Sequence, residues 1–389
     1  MIEKEKEILK RKIANKEENN IISLRNVNIE EPNSNSSTIA SQNDKNQYND
    51  LKKMKEFIES KYKKFYENFE LTNFISAGGT GKVFEGYLKR AKKKQNLAFK
   101  FKISDQKKLE KDSQEISIHK KCHHNNITEI YAFIKMDDYS NFCVLELGKH
   151  GDLENFQKKL LKRKVLSETM ICYFAKQILE ALQYIHRCKI IHMDIKEGNI
   201  LVDSNLNVKL TDFSVSCSYS AFHPEDLVKF PYVGTSKYMS PEIIGRTHMK
   251  IKEGCKIDIY SLGVTLYDLA FGCYPFNLDE VERKDYDNIL KKVKEEKLEF
   301  PKDRKVSNLF KDFLKGLLEI DYTKRFSIQK ALNHPWVKGA DIIFDEKEQS
   351  FCYENFLINL ITDNIPKFND YLKENQLKYN LNLNPDSNV

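Results

Sequence analysis

The sequence predicts a two-lobed α+β fold, and three observations carry that prediction. Strand-length apolar runs fill residues from about 69 to 146, one helical pattern interrupts them, and longer helical patterns dominate from about 147 to 337. The first part is therefore a small antiparallel sheet with one main helix, and the second a larger, mainly helical lobe. At 389 residues the chain is too long for one small core.

Residues 1–50 are rich in Asn, Ser, Lys and Glu. A stretch such as Pro32-Asn33-Ser34-Asn35-Ser36-Ser37 has too few apolar groups to offset ordering entropy, so a disordered polar tail is expected. Ile2, Ile8, Leu9 and Ile13 among charges suggest a transient helix there. Residues 51–68 form a lead-in segment. Strand-like runs follow at Phe74-Ile75, Lys82-Val83-Phe84, Leu97 to Phe101 and Phe142 to Leu145, with the helical pattern from about 107 to 121. Beyond Gly148, helices are expected over Met170 to Ile185, Ile259 to Phe271 and Leu309 to Leu318. Residues 338–389 form a C-terminal extension with one amphipathic candidate, Phe351 to Tyr371, expected to pack on the second lobe.

Hydrophobic residues make up 40% and charged residues 31%, as in a soluble globular protein with polar flanks. Lys and Arg outnumber Asp and Glu by 64 to 57, but they are scattered among acids, which reads as a solvated surface and not a nucleic-acid-binding face. The densest basic cluster is Lys158, Lys159, Lys162, Arg163 and Lys164. Eight cysteines form no C-x-x-C pair and no zinc-ligand spacing, so reduced, mostly buried thiols are expected. The N-terminus lacks an apolar signal region, no run reaches membrane-spanning length, and no lipid-anchor motif is present. The expected location is cytoplasmic or nuclear.

The most informative stretch is His192-Met193-Asp194-Ile195-Lys196-Glu197-Gly198-Asn199, followed after a short hairpin by Asp212-Phe213-Ser214. It supplies a carboxylate and a lysine that can manage a proton and a moving anion, then an amide and a carboxylate suited to a hard divalent cation. Upstream, Ser76-Ala77-Gly78-Gly79-Thr80-Gly81-Lys82-Val83 is a loop of small residues whose backbone can approach phosphate. It is not a Walker A loop, because Ser76 and Val83 stand at positions that pattern denies them. Lys100 ends the apolar strand Leu97-Ala98-Phe99-Lys100, where an ammonium needs a carboxylate and an anionic ligand; Glu115 on the following helix is the candidate carboxylate.

These motifs, in this order, resemble the eukaryotic protein kinases of the serine/threonine type across residues 69–337. The resemblance implies the two-lobed protein kinase fold, ATP and Mg²⁺ as ligands, and proteins bearing Ser or Thr as substrates. It makes Lys100 the contact to the α- and β-phosphates and Glu115 its orienting partner. It places nucleotide around Ile75, Ser76, Gly78, Gly81, Val83, Ala98, Leu145, Glu146, Gly148, Asp152 and Leu201. Leu145 falls at the gatekeeper position, and Asp152 at the ribose. Asp194 would orient the substrate hydroxyl and take its proton, Lys196 would neutralise the moving phosphoryl group, and Asn199 and Asp212 would hold the metal. Gly234 to Glu242 resembles the end of an activation segment, with Glu242 paired to Arg325 and Asp258 anchoring the catalytic loop. A competing reading is a pseudokinase that keeps the fold as a nucleotide-binding scaffold.

Several positions depart from the family pattern. Ser76 replaces the first loop glycine, Ser214 replaces the glycine after Asp212-Phe213, and His119 stands where an apolar residue usually stacks on the core. Met193 occupies the place where many kinases carry an arginine that pairs with an activation-segment phosphate. Pro231 takes the place of the hydroxyl residue three positions before Gly234. Together these predict an activity independent of phosphorylation there. Asp152 and Asp268 lie where kinases of basic substrates often carry acids, although Gly198 lacks one.

Overall fold

The computed structural model describes residues 51–60, 67–78, 81–90, 95–103, 106–135, 140–162, 165–219, 224–349 and 353–383. The expected polar tail and its transient helix lie outside these residues, as do Gly79 and Thr80 of the small-residue loop, Arg163 and Lys164 of the basic cluster, and Ser220. The chain divides into two compact units, one holding residues up to Leu109 together with Ile130–Leu147, the other Glu110–Glu129 and Gly148–Val389.

In the first unit, β1 (Phe69–Gly78), β2 (Gly81–Leu88), β3 (Leu97–Ile103), β4 (Ile130–Lys135) and β5 (Ser140–Glu146) form one antiparallel sheet in the order β1-β2-β3-β5-β4. Because side chains alternate along a strand, Leu97, Phe99 and Phe101 share one face. They join Leu71, Phe84, Phe142 and Val144 in an apolar core. A helix over residues 51–60 (α1) covers that core: Met54 and Ile58, one turn apart, are buried in it, and the Phe57 ring meets Phe101 edge-on at 5.8 Å. Lys55 Nζ also reaches Glu70 at 3.0 Å. Part of the expected lead-in segment is thus a structural cover of the sheet.

The alternate residues take the other face. Val83 stands opposite Lys100, and Ala98 opposite Leu145. A bulge between Phe74 and Ser76 sets Ile75 out of register, and its side chain is 41% exposed. The helix expected between strands is α2 (Gln106–His119).

The second unit is built on α3 (Glu168–Arg187), apolar around most of its circumference and correspondingly buried. It packs beside α4 (Lys256–Phe271). Helix α5 (Asn308–Leu317) buries Leu309, Phe310, Phe313, Leu314 and Leu317, a stripe of helical period. Trp336 stacks on its Phe310 and Phe313 rings at 4.5 and 5.0 Å. Three two-stranded ladders complete the unit: β6 (Ile190–Ile191) with β9 (Cys217–Ser218), β7 (Ile200–Val202) with β8 (Val208–Leu210), and β10 (Leu227–Val228) with β11 (Met249–Lys250).

The C-terminal extension forms α6 (Ala340–Gln349), α7 (Tyr353–Ile361) and α8 (Pro366–Leu383). The single amphipathic helix expected from Phe351 to Tyr371 is therefore two. Asp363 adopts a positive φ of 52°, and Pro366, which lacks an N–H, begins a new helix and cannot continue the old one. The extension packs on α3. Asp363 Oδ1 accepts a hydrogen bond from Thr169 N at 2.9 Å, Ser167 Oγ donates to Leu360 O, and Lys347 Nζ donates to Tyr173 Oη and Asn207 Oδ1 at 2.6 and 2.8 Å.

Of the seven described cysteines, all are free thiols, yet only Cys122, Cys143 and Cys172 are buried. Cys188 is exposed, and Cys217, Cys255 and Cys273 are intermediate, so burial is less general than the sequence suggests. Among the described residues, no helix is long and apolar enough to cross a membrane.

Candidate active site

In the first unit the expected nucleotide residues lie on the strands. Gly78 and Gly81 face each other at the end of the β1–β2 hairpin, and Ser76, Val83 and Lys100 occupy paired positions across β1, β2 and β3. Ala98 is flanked by Glu85 and Leu145 of the neighbouring strands, while Glu146, at the end of β5, pairs with Leu97. Lys100 is buried, an environment in which an ammonium persists only with ionic and hydrogen-bonding partners.

In the second unit the expected catalytic residues converge. Asp194 Oδ1 accepts from Thr235 N and Thr235 Oγ1, both at 2.8 Å, and Oδ2 lies 2.8 Å from Lys196 Nζ. The same ammonium donates to Thr235 Oγ1 at 2.6 Å. Asn199 spends both amide protons on Asp194, one on its backbone oxygen and one on Oδ2, each at 2.8 Å. Its Oδ1 is thereby oriented as an acceptor, available to a cation. Thr211 N donates to Asn199 O at 3.0 Å, which brings Asp212 next to that amide in the fold. Asn199 and Asp212 together offer oxygen donors of the kind Mg²⁺ accepts alongside water and phosphate. Glu115 is buried on α2. Gly148 sits against Leu201, and Leu201 pairs with Asp152 in an isolated bridge. Asp152 also caps the helical turn after it, accepting from Asn155 N and Nδ2 at 2.7 Å each.

Asp258 fixes the loop that carries Asp194. Its carboxylate is fully buried in the first turn of α4 and accepts the His192 and Met193 amides, each at 2.9 Å. His186 Nε2 donates to it at 2.8 Å. Burial alone would lower the imidazole, but its neighbours Cys255 and Asp258 outweigh burial and raise it to about 10. Met193 and Asp212 hold φ values of 70° and 64°, a region that costs L-residues energy and persists where the surroundings over-determine it. Gly234 at φ 108° passes so close that a Cβ would fall 2.4 Å from Met193 O, which reserves the position for glycine.

His119 solves the problem its sequence posed. Its ring packs at a tilt against Phe213 at 4.7 Å, Phe213 meets His192 edge-on at 5.1 Å, and His119 Nε2 donates to Thr128 O at 2.6 Å. The imidazole does the packing expected of an apolar residue while its polar edge is satisfied. Sequence reasoning did not find His186, which lies 72 positions from Asp258 in no recognisable motif. Nor did it find Tyr238, whose hydroxyl donates to buried Glu197 at 2.6 Å.

Between these residues the segment from Asp212 to Glu242 is tied down at several points. Cys217 Sγ lies 3.8 Å from Met193 Sδ, and β10 pairs with β11. Glu225 bridges Lys250, at 2.9 Å, and Lys252, and Lys237 Nζ donates to Leu278 O and Asp279 O at 2.6 and 3.1 Å.

The family model for the protein kinase domain matches residues 69–337. The chain is 30% identical over 279 residues to the cell cycle serine/threonine-protein kinase CDC5/MSD2 of Saccharomyces cerevisiae, covering 70% of this chain and 37% of that protein. It is 30% identical over 302 residues to the probable serine/threonine-protein kinase fhkA of Dictyostelium discoideum, covering 70% and 50%. It is 31% identical over 324 residues to human death-associated protein kinase 2, covering 79% of each. The chain thus spans half or less of the first two relatives, and more than two thirds of the third. The family match and these relatives establish that the chain belongs to the protein kinase domain family, among its serine/threonine members.

Proposed function

We propose that this chain transfers the γ-phosphoryl group of ATP to Ser or Thr hydroxyls of proteins, and that it does so without phosphorylation of its activation segment. The observation that carries the first part is the cluster of Asp194, Lys196, Asn199 and Thr235. Asp194 Oδ1, held by Thr235, is a carboxylate oxygen positioned to accept a hydrogen bond from an incoming hydroxyl and then its proton. Lys196 supplies a positive charge beside it for the phosphoryl group in flight. Asn199 and Asp212 are the residues that would hold Mg²⁺, whose chemistry is to neutralise phosphate charge. On the family resemblance, Lys100 is assigned to the α- and β-phosphates, Glu115 to orienting it, and the strand residues from Ile75 to Glu146 to the nucleotide.

The second part rests on what surrounds Met193. Its side chain is 3% exposed and faces the Cys217 thiol, and methionine carries no charge with which to receive a phosphate. Pro231 offers no hydroxyl, and the segment already has its fastenings in the β10–β11 pair and in Glu225.

The test is transfer of labelled γ-phosphate from Mg-ATP to generic protein substrates by phosphatase-treated wild type and by Asp194→Asn. Transfer by the treated wild type that falls by about 10²- to 10⁴-fold in the variant is expected. Absence of transfer with ATP still bound would make the chain a nucleotide-binding scaffold. Activity that appears only after phosphorylation at Ser218, Ser220 or Tyr232 would remove the second part alone.

A further inference from the structure

The ladder and ion pairs fasten the activation segment at its outer part. A different contact fastens it where it turns back toward Asp194. Gly254 is a buried residue with an ordinary φ of −54°, so its backbone does not call for glycine. Space does. A Cβ built there would fall 2.4 Å from Phe230 Cζ, 3.0 Å from Phe230 Cε1 and 2.7 Å from Ile191 Cδ1. The Cζ–Cε1 end of the Phe230 ring therefore lies against Gly254, with Ile191 as the second wall. Just beside it, Tyr219 Oη lies 3.1 Å from Cys255 Sγ and donates to His186 O at 3.4 Å.

The walls of this slot are not arbitrary surface. Ile191 precedes Asp194 by three residues and immediately precedes His192, whose amide Asp258 holds; Gly254 precedes Asp258 by four. Phe230 precedes Gly234 by four residues and Thr235 by five, and these are the residues that touch Met193 and Asp194. One half-buried aromatic ring thus joins the activation segment to both elements that set the position of the catalytic carboxylate. Apolar contact of this kind is not screened by salt and needs no modification.

We propose that Phe230, seated against Gly254 and Ile191, is a positioning residue that holds the activation segment where Thr235 meets Asp194. This inference deepens the phosphorylation-independent kinase reading and rests on it. Phe230 touches neither substrate nor reacting atoms; it acts through Gly234 and Thr235. An added Cβ at Gly254 meets both the outer end of the half-buried Phe230 ring and Cδ1 of fully buried Ile191, and of the two the half-buried ring is the one with room to move out of its slot.

The test compares wild type with Gly254→Ala, Gly254→Val, Phe230→Ala and the double variant Gly254→Ala/Phe230→Leu. Each is followed by steady-state kinetics, by protease nicking between residues 219 and 234, and by thermal unfolding. Gly254→Val and Phe230→Ala are expected to lower kcat/KM for a protein substrate by about tenfold or more, with KM for ATP changed less than about twofold. They should open the segment to protease while leaving the unfolding temperature close to that of wild type. The shorter leucine should restore much of what Gly254→Ala loses, because it vacates the volume the methyl group needs. Wild-type kinetics and wild-type nicking in Gly254→Val and Phe230→Ala would overturn the proposal. So would an equal loss in ATP and protein-substrate parameters accompanied by lowered thermal stability and no rescue, since that is ordinary core damage. If wild type transfers no phosphate at all, the kinase reading fails, and the nicking pattern still reports whether the ring fastens the segment.

Discussion

Arg325 grips Glu242 in a two-point ion pair, Nη1 to Oε1 at 2.7 Å and Nη2 to Oε2 at 2.9 Å, with both side chains sealed from water. The guanidinium also donates to Glu319 O and Lys256 O at 2.8 and 2.9 Å, and its face lies over Tyr260. Removing one partner leaves a buried charge alone, which costs about 3–5 kcal/mol. Arg325→Met and Glu242→Leu are each expected to lower the midpoint of urea unfolding sharply, and the double variant is expected to recover part of the loss. A single variant as stable as wild type would show that the pair carries no structural weight. Arg325→Lys is also expected to fail, because a point charge cannot reproduce the planar fork.

Helix α1 makes a separate prediction for the first unit. Ile58 is 1% exposed in the core beneath the sheet, so Ile58→Ala removes buried methyl groups and leaves a cavity worth about 2–5 kcal/mol. Reduced stability with an unchanged KM for ATP per folded molecule is the expected result, read from unfolding and kinetics side by side. A deletion of residues 1–60 that unfolds at the wild-type temperature would show that the helix is not needed to cover the sheet.

Much of this architecture is legible in the chain because its signals are local. The alternation in Leu97-Ala98-Phe99-Lys100 fixes which side chains enter the core and which face away, and the spacing from His192 to Asn199 places Asp194, Lys196 and Asn199 on one loop. What escaped is non-local or depends on shape. His186 meets Asp258 across 72 positions, and nothing in the pattern of α3 distinguishes that histidine from one at the surface. Gly254 looks like any turn glycine until the Phe230 ring is seen against it. Met54 and Ile58 form an i, i+4 pair too sparse, among lysines and glutamates, to announce a buried face. Pro366 was a local signal for the break between α7 and α8, and the amphipathic period running past it masked the break.

His186, raised by its neighbours Cys255 and Asp258, gives the stability a pH dependence. The imidazole is raised from 6.5 to about 10, so between these values the folded chain holds a proton that the unfolded chain has released. The stabilisation is complete below pH 6.5 and is lost as pH rises through about 10. Urea midpoints across this window should fall with pH in wild type, and the slope should be shallower in His186→Gln. Parallel pH profiles for the two proteins would mean that His186 carries no extra proton in the folded state.

The last prediction concerns the contact by which the C-terminal extension reaches α3. The first N–H groups of a helix lack partners within it, and the positive end of the backbone dipoles gathers there. Ser167 takes one such donor, Met170 N, at 3.1 Å; Asp363, from the turn between α7 and α8, takes another, Thr169 N, at 2.9 Å. An aspartate almost two hundred residues downstream thereby serves as a second cap, and its negative charge lies at the favourable end of the helix. Asp363→Ala leaves Thr169 N without that acceptor and should cost about 0.5–2 kcal/mol. Asp363→Asn keeps an oxygen acceptor but gives up the charge, so it should fall between the two, and the difference between Asn and Asp should shrink at high salt while that between Ala and Asn should not. Equal stability of all three proteins would show that the Asp363 cap adds nothing and that the extension is held by its other contacts, among them the buried Leu357, Leu360, Ile365 and Phe368.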